Sequence, residues 1–300
     1  IVQFNVSQKA FIAAQQGAVY QGVGKLHVYK LAGHINWCNR DHAARPQGCY
    51  NQSSAPTVEV RKAMSDSPQT AVVTVTAAVI IIGDEILSGR TKDQNLGFLA
   101  DALNEVGVQL HEARVVADIE ADIVAAVNDL RARFDYVFTT GGIGPTHDDI
   151  TADSIGAAFG LAVDHNPDAV EILKAHYAHT GAELNEARMR MARTPVGASL
   201  VENPVSKAPG FRVENVYVMA GIPSVCQAMF HSLKHELVGG DPVLSISIAV
   251  YLAEGTLAKG LTALQDKYPD VGMGSYPFYR EGRFGASIVA RSQIPERLAA

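Results

Sequence analysis

Asp135-Tyr136-Val137-Phe138-Thr139-Thr140-Gly141-Gly142-Ile143-Gly144-Pro145-Thr146-His147-Asp148-Asp149-Ile150-Thr151 decides how the chain is read. Its first residues are a short apolar run with the character of a buried strand, and Ala152 to Phe159 beyond it has the pattern of a helix. A glycine-rich turn bearing two adjacent carboxylates therefore joins a strand to a helix. Gly141, Gly142 and Gly144 allow backbone N–H groups to approach an anion closely. Asp148 and Asp149 can hold a divalent cation against that anion. Taken alone the turn is ambiguous. Many strand-to-helix turns use glycine for geometry only, and Asp148 or Thr151 can serve as simple helix caps. The GxGxxG fingerprint and the phosphate-loop lysine are both absent.

Working upstream, Val72 to Ile82 is β-branched and nearly continuous in apolar character, as expected of a strand buried on both faces of a parallel sheet. It ends at Gly83-Asp84-Glu85-Ile86-Leu87-Ser88-Gly89-Arg90, a second acidic strand end. Open α/β sheets bind ligands outside the carboxyl ends of their strands. Carboxylates gathered there raise one another's pKa unless Arg90 or a bound cation relieves them. Between the two acidic ends the pattern predicts a helix over 93–103, a strand over 108–117 and a helix over 119–133. The order β-α-β-α-β implies a parallel sheet covered by helices. Ser88 reads as a phosphate contact or a helix cap, and His147 as a solvated loop residue rather than a proton shuttle.

Downstream, Asn166 caps a helix begun by Pro167, and 183–192 is a further helical stretch with Asn185 and Arg188 on one face. Extended runs lie at 199–201 and 216–219, with the turn Ala208-Pro209-Gly210-Phe211 between them. A helix follows Gly221-Ile222-Pro223 and places Cys226 in the core. Gly239-Gly240-Asp241-Pro242 marks a domain boundary. Beyond it the chain reads as strand 243–252, helix 256–267, strand 271–277 and strand 285–291. The expected division is a disordered or non-native extension over 1–70, an α/β domain over 71–240 and a small α+β domain over 241–300, cut short at its end.

The first 63 residues differ from the rest. They hold two acidic residues, Asp41 and Glu59, against seven basic ones, while the remainder carries 29 acidic and 18 basic residues. With no sustained period, they read as an upstream read-through segment without a fold of its own, the rival reading being a small accessory domain. His34, Cys38, His42 and Cys49 match no compact zinc pattern. The formal net charge of -6 argues against direct contact with nucleic acid. No apolar run is long enough to span a bilayer, and no secretory leader is evident. Three cysteines form no even framework, which points to a reducing, cytoplasmic setting.

Gly83 to Gly89, with Asp93 and Asn95 beyond, resembles the opening motif of the molybdopterin-binding domain shared by MogA, MoaB, MoeA and CinA proteins. Thr140-Gly141-Gly142-Ile143-Gly144-Pro145-Thr146-His147-Asp148-Asp149-Ile150-Thr151 is similar to the CinA form of the second motif, TGGxGPTxDDxT. Asn185, Arg188, Asn203, Ala208-Pro209-Gly210-Phe211 and Gly221-Ile222-Pro223 follow the CinA order, although the family commonly has Pro-Gly-Val-Pro where Ala220-Gly221-Ile222-Pro223 stands here. The last sixty residues resemble the small KH-like domain that follows the core, and Ser275-Tyr276-Pro277-Phe278 resembles the domain attached to eukaryotic FAD synthases.

The resemblance covers roughly 70–300. It implies a three-layer MogA/MoaB-like parallel or mixed sheet and a metal-dependent pyrophosphatase acting on a nucleotide diphosphate such as ADP-ribose or FAD. By the same analogy Asp84, Asp148 and Asp149 would hold Mg, Mn or Co. Gly83, Ser88, Thr140, Gly141, Gly142, Gly144 and Thr146 would surround the diphosphate, and Asn185 or Arg188 would neutralise developing charge. A pterin-binding protein without turnover is the other expectation. Domains of this kind often form dimers or trimers, so a homo-oligomer is implied. The amidase domain of full-length CinA has no counterpart through Ala300, and its activity is not carried over.

Overall fold

Residues 29–31, 34–36, 72–280 and 282–300 are described by the computed structural model. The chain divides into two compact units, 1–66 and 67–300. In the first, β1 (Tyr29–Leu31) and β2 (His34–Asn36) pair antiparallel. The candidate zinc cluster of His34, Cys38, His42 and Cys49 lies outside what is described, as do the side chains of that unit.

In the second unit β3 (Val75–Ile82) is the strand predicted at the centre of the sheet. Its side chains alternate between two cores. Ala77, Val79 and Ile81 face one way, and Ala78, Ile80 and Ile82 the other. That is why its sequence is continuously apolar rather than alternating. β4 (Val108–Val116) and β5 (Tyr136–Thr140) flank β3 in parallel, and β10 (Val216–Met219) runs parallel to β5. β9 (Gly210–Val213) and β8 (Ser199–Val201) extend the sheet antiparallel, giving the order β4-β3-β5-β10-β9-β8. The sheet is thus mixed. β9 escaped the sequence reading because Gly210-Phe211 looks like a turn. Gly210 is required there: a Cβ would lie 2.2 Å from the Val218 carbonyl oxygen.

One face is covered by α2 (Asn95–Glu105) and α7 (Pro223–Leu233), through Leu99, Leu103, Cys226, Met229 and Phe230. The other is covered by α3 (Glu120–Arg133) and α4 (Thr151–Phe159), through Ile123, Val127, Leu130 and Ile155. Apart from Cys226, each of these fully buried side chains contributes about 1.5–3 kcal/mol in apolar transfer. Cys226 is wholly buried as expected, and burial pushes its thiol up to about 12, assisted by the Asp93 charge. A short ladder unseen in the sequence joins β6 (Val163–His165) to β7 (Arg193–Pro195). α5 (Pro167–Thr180) is capped by Asn166 Oδ1, which accepts from the Asp168 and Ala169 N–H groups.

After Asp241 the order is β11 (Leu244–Val250), α8 (Glu254–Lys267), β12 (Gly272–Arg280) and β13 (Arg283–Ser292), a β-α-β-β unit. Its sheet has the order β11-β13-β12. The linker is fastened to the core: the Gly240 N–H donates to the Gly107 carbonyl at 2.8 Å and the Val73 N–H to Asp241 Oδ2 at 3.2 Å. Among the described residues no helix is long and apolar enough to cross a membrane.

Candidate functional site

β3 leads to β4 on one side of itself and, by way of β4, to β5 on the other. The loops after β3 and β5 therefore diverge at the carboxyl edge of the sheet. This is the topological switch point at which α/β sheets bind ligands.

The loop after β5 is built on close backbone approach. Gly141 has φ of +107°, and a Cβ there would stand 2.2 Å from the Ile82 carbonyl oxygen. Gly142 has φ of +67°, and its Cβ would meet Thr151 Oγ1 at 2.1 Å. The Gly141 N–H is committed to the Met219 carbonyl at 3.1 Å. Thr151, wholly buried at the start of α4, closes the turn: its N–H donates to the Gly142 carbonyl and its Oγ1 to the Gly141 carbonyl, both at 3.0 Å. Among the described residues the N–H groups of Gly142, Ile143 and Gly144 have no acceptor. They form a row of donors suited to an anion. The cradle thus starts one residue later than the sequence suggested.

Asp149 turns back into its own loop, where Oδ2 accepts from the Thr146 N–H at 2.8 Å and from Thr146 Oγ1 at 2.5 Å. Asp148 is exposed. The Thr146 side chain, then its own backbone N–H and the nearby His147, hold the Asp148 carboxyl below the usual carboxylate range. Both hydrogen bonds that Thr146 donates go to Asp149.

The loop after β3 opens with the four-residue helix α1 (Asp84–Leu87), which has no buried residue. Its first N–H, that of Asp84, donates to Asp118 Oδ2 at 2.9 Å. Asp118, just past the end of β4, escaped the sequence reading. The available signal was an acid following a strand end, as at Asp84. Burial first, then the charges of Asp84, Glu85 and Asp148, push the Asp118 carboxyl up, although the Asp84 N–H opposes them. Asp84, Glu85, Asp118 and Asp148 therefore share one electrostatic neighbourhood. Among the described residues no three carboxylate, imidazole or thiolate groups come close enough to hold a metal ion by themselves. Asp84, Asp148 and Asp149 are not assembled into a cage, in part because Asp149 is spent on Thr146. Ser88 Oγ donates to the Glu85 carbonyl at 3.3 Å and so closes the short helix.

Asn185 and Arg188 are also engaged locally. Asn185 Oδ1 accepts from the Arg188 N–H at 3.0 Å, capping α6 (Glu186–Met189). The Arg188 guanidinium bonds the Glu183 carbonyl and lies 4.8 Å from the centre of the Tyr177 ring. The cation beside the glycine turn is Arg190. It lines a small cavity with Gly142, Ile143, Gly144 and Asp149, and its Nη2 donates to the Asp149 carbonyl at 3.3 Å. Its Nε is buried without a partner. Arg193, in the same cavity wall, is held by Asp153 at 2.6 and 2.9 Å.

A second cavity, of about 50 Å³, opens on the α2 and α7 side of the turn. Asn95 and Thr140 line it, 4% and 1% exposed. Asn95 Nδ2 donates to the Gly221 carbonyl at 2.8 Å, while Asn95 Oδ1 and Thr140 Oγ1 have no partner among the described residues. A buried polar atom left so costs about 1–3 kcal/mol.

A donor row, an arginine and a carboxylate group at a switch point define an α/β domain whose sheet edge is suited to a small anionic ligand. Comparison with known proteins agrees. Residues 78–239 match the family described as "Probable molybdopterin binding domain", and 242–300 match the middle domain of FAD synthase. The chain belongs to the molybdopterin-binding-domain family, in its CinA-like branch. A protein of Aeropyrum pernix is 35% identical over 210 residues, covering 67% of this chain and 78% of that one. A probable FAD synthase of Caenorhabditis elegans is 29% identical over 249 residues, but the chain spans only 48% of its length. The crystal structure of CinA from Thermoplasma acidophilum, titled as of unknown function, superposes with a TM-score of 0.50 at 30% identity, covering 54% of this chain and 98% of that one.

Proposed function

We propose that the protein is a metal-dependent pyrophosphatase that hydrolyses a nucleotide diphosphate such as ADP-ribose or FAD. The observation that carries this is the row of free N–H groups at Gly142 to Gly144 beside Arg190, at the same sheet edge as the carboxylates of Asp84, Glu85, Asp118 and Asp148. Donors and cation favour a diphosphate; the carboxylates would repel it without a counter-charge. The all-oxygen donor set fits a hard divalent ion that takes one or two carboxylates and completes its sphere with water and substrate phosphate. Asp84 and Asp148 would hold it. Once bound, it would draw charge from the diphosphate and ease departure of the leaving phosphate. The N–H groups of Gly142 to Gly144 would fix the diphosphate, and Arg190 would steady the charge that grows on it. Asp118, its carboxyl pushed up by burial, would take the proton of the attacking water on the oxygen not bonded to the Asp84 N–H. The relation to FAD synthases supports a flavin dinucleotide among the substrates to be tried.

Asp148→Ala should reduce AMP release from ADP-ribose or FAD about a hundredfold or more with Mg, Mn or Co present. Lack of release by the wild-type protein with any of these metals would sink the hydrolase reading. The second reading, a pterin carrier without turnover, rests on the family description. Equilibrium dialysis against a pterin and against ADP-ribose separates the two.

A further inference from the structure

We propose that β11 is an interface between two copies of this chain, which join edge to edge about a two-fold axis through Ser247 and merge their small sheets into one of six antiparallel strands. The two outer strands of the small sheet, β11 and β12, are finished differently. On β12 the Met273 N–H donates outward to Gln265 Oε1 at 3.1 Å. Backbone groups of alternate residues point to the same edge, so Ser275 and Pro277 share that outward position, and Pro277 has no N–H to offer. A proline and a side chain laid on the backbone are devices that close a sheet edge to further strands.

β11 is left open. The Val250 carbonyl oxygen lies toward β13, 2.6 Å from where a Cβ on Gly285 would stand, so Ser245, Ser247 and Ala249 direct their backbone groups outward. Val243, next in that outward series, is satisfied by α2: its N–H donates to Asn104 Oδ1 and its carbonyl accepts from Asn104 Nδ2, both at 3.2 Å. The N–H and C=O groups of Ser245, Ser247 and Ala249 meet no partner among the described residues. No proline or charged residue stands between Val243 and Leu252 to repel another strand. The occupant is written in the strand itself. Leu244-Ser245-Ile246-Ser247-Ile248-Ala249-Val250 reads nearly alike in both directions about Ser247. Antiparallel pairing with a second copy therefore sets Ser247 against Ser247, Ser245 against Ala249, Ile246 against Ile248 and Leu244 against Val250. The outward residues then form three hydrogen-bonded pairs of two bonds each. Ile246 and Ile248, 39% and 58% exposed, fall in the closer pairs between them, where four isoleucine side chains cover one another.

The test is sedimentation of the full chain at concentrations up to about 100 µM, the range of a small interface. The wild-type protein is expected to form a species holding twice as many chains as Ser247→Lys or Ser247→Glu forms, since the axis sets each introduced charge against its own copy. Mixing the two charged variants should restore the doubled species, because lysine then faces glutamate. Ser247→Pro keeps the sheet of its own copy, as that N–H points outward, and removes two of the bonds between copies. It should weaken association about tenfold. Equal masses for the wild-type protein and a folded Ser247→Lys or Ser247→Pro protein would overturn the pairing. Charged variants that stay apart when mixed would overturn the two-fold register through Ser247. A wild-type protein that remains monomeric at about 100 µM would overturn the proposal whether or not any variant folds, and would leave the edge to a different chain.

Discussion

The two loops that meet at the sheet edge are held in opposite ways. The loop after β5 is fixed by backbone contact: Gly141 sits against Ile82 and Met219, and Gly142 against Thr151. The loop after β3 begins the same way, with the Gly83 N–H bonded to the Val116 carbonyl, but it then runs through an exposed four-residue helix. Its anchor there is the Asp84 N–H on the Asp118 carboxylate. Gly89, in this second loop, has φ of +72°, yet a Cβ on it would touch nothing within 4 Å. One loop is rigid because atoms leave no room. The other is held by a charged group whose strength varies with protonation. A rigid row of donors facing an adjustable acidic loop suits the proposed site, which would admit a cation and a diphosphate together.

The sharpest way to break this comparison is to add one methyl group to each loop. In Gly141→Ala the Cβ meets a backbone oxygen that has nowhere to go, and φ of +107° is itself strained for alanine. The expected loss is about 3 kcal/mol or more, seen as an early denaturant midpoint, together with loss of pyrophosphate binding. Gly89→Ala meets only the left-handed backbone penalty of about 1–2 kcal/mol and should retain binding. Equal losses in the two variants would mean that the loops are not held differently.

How far the sequence reading reached follows from the same physics. β3, β5 and the helices between them were legible because burial on both faces leaves long apolar runs, and Asn166-Pro167 because a cap and a proline announce a helix. The β-α-β-β order after Asp241 was legible for similar reasons. The glycine turn and the Asp84 strand end were recognisable from type and spacing. β6, β7 and β9 were not, since three- and four-residue strands carry too little pattern, and β9 begins with a glycine needed for packing. Asp118 and Arg190 were missed because their relevance is three-dimensional: each is brought to the edge by an element distant in sequence from its partner. Asn185 and Arg188 stand out by their order along the chain, which does not reveal that each is engaged within its own segment.

The adjustable loop gives the smallest effect and a sign that tests its origin. Burial and three neighbouring carboxylates hold the Asp118 pKa above its ordinary value, so the folded protein binds that proton more tightly than the unfolded chain does. A carboxyl raised in this way stabilises the fold below its ordinary pKa. That contribution is lost as pH rises through the raised folded value, because the charge must then be borne among like charges. Asp118→Asn keeps an oxygen for the Asp84 N–H and removes the charge. It should therefore melt above the wild-type protein at pH 7, by less than the Gly89→Ala change lowers it, and the gap should close near pH 4. Added magnesium should stabilise the wild-type protein more than the variant if a cation relieves the same repulsion. A variant less stable than wild type at pH 7 would show that the Asp118 charge supports the loop through attraction, and that the second loop is as firmly built as the first.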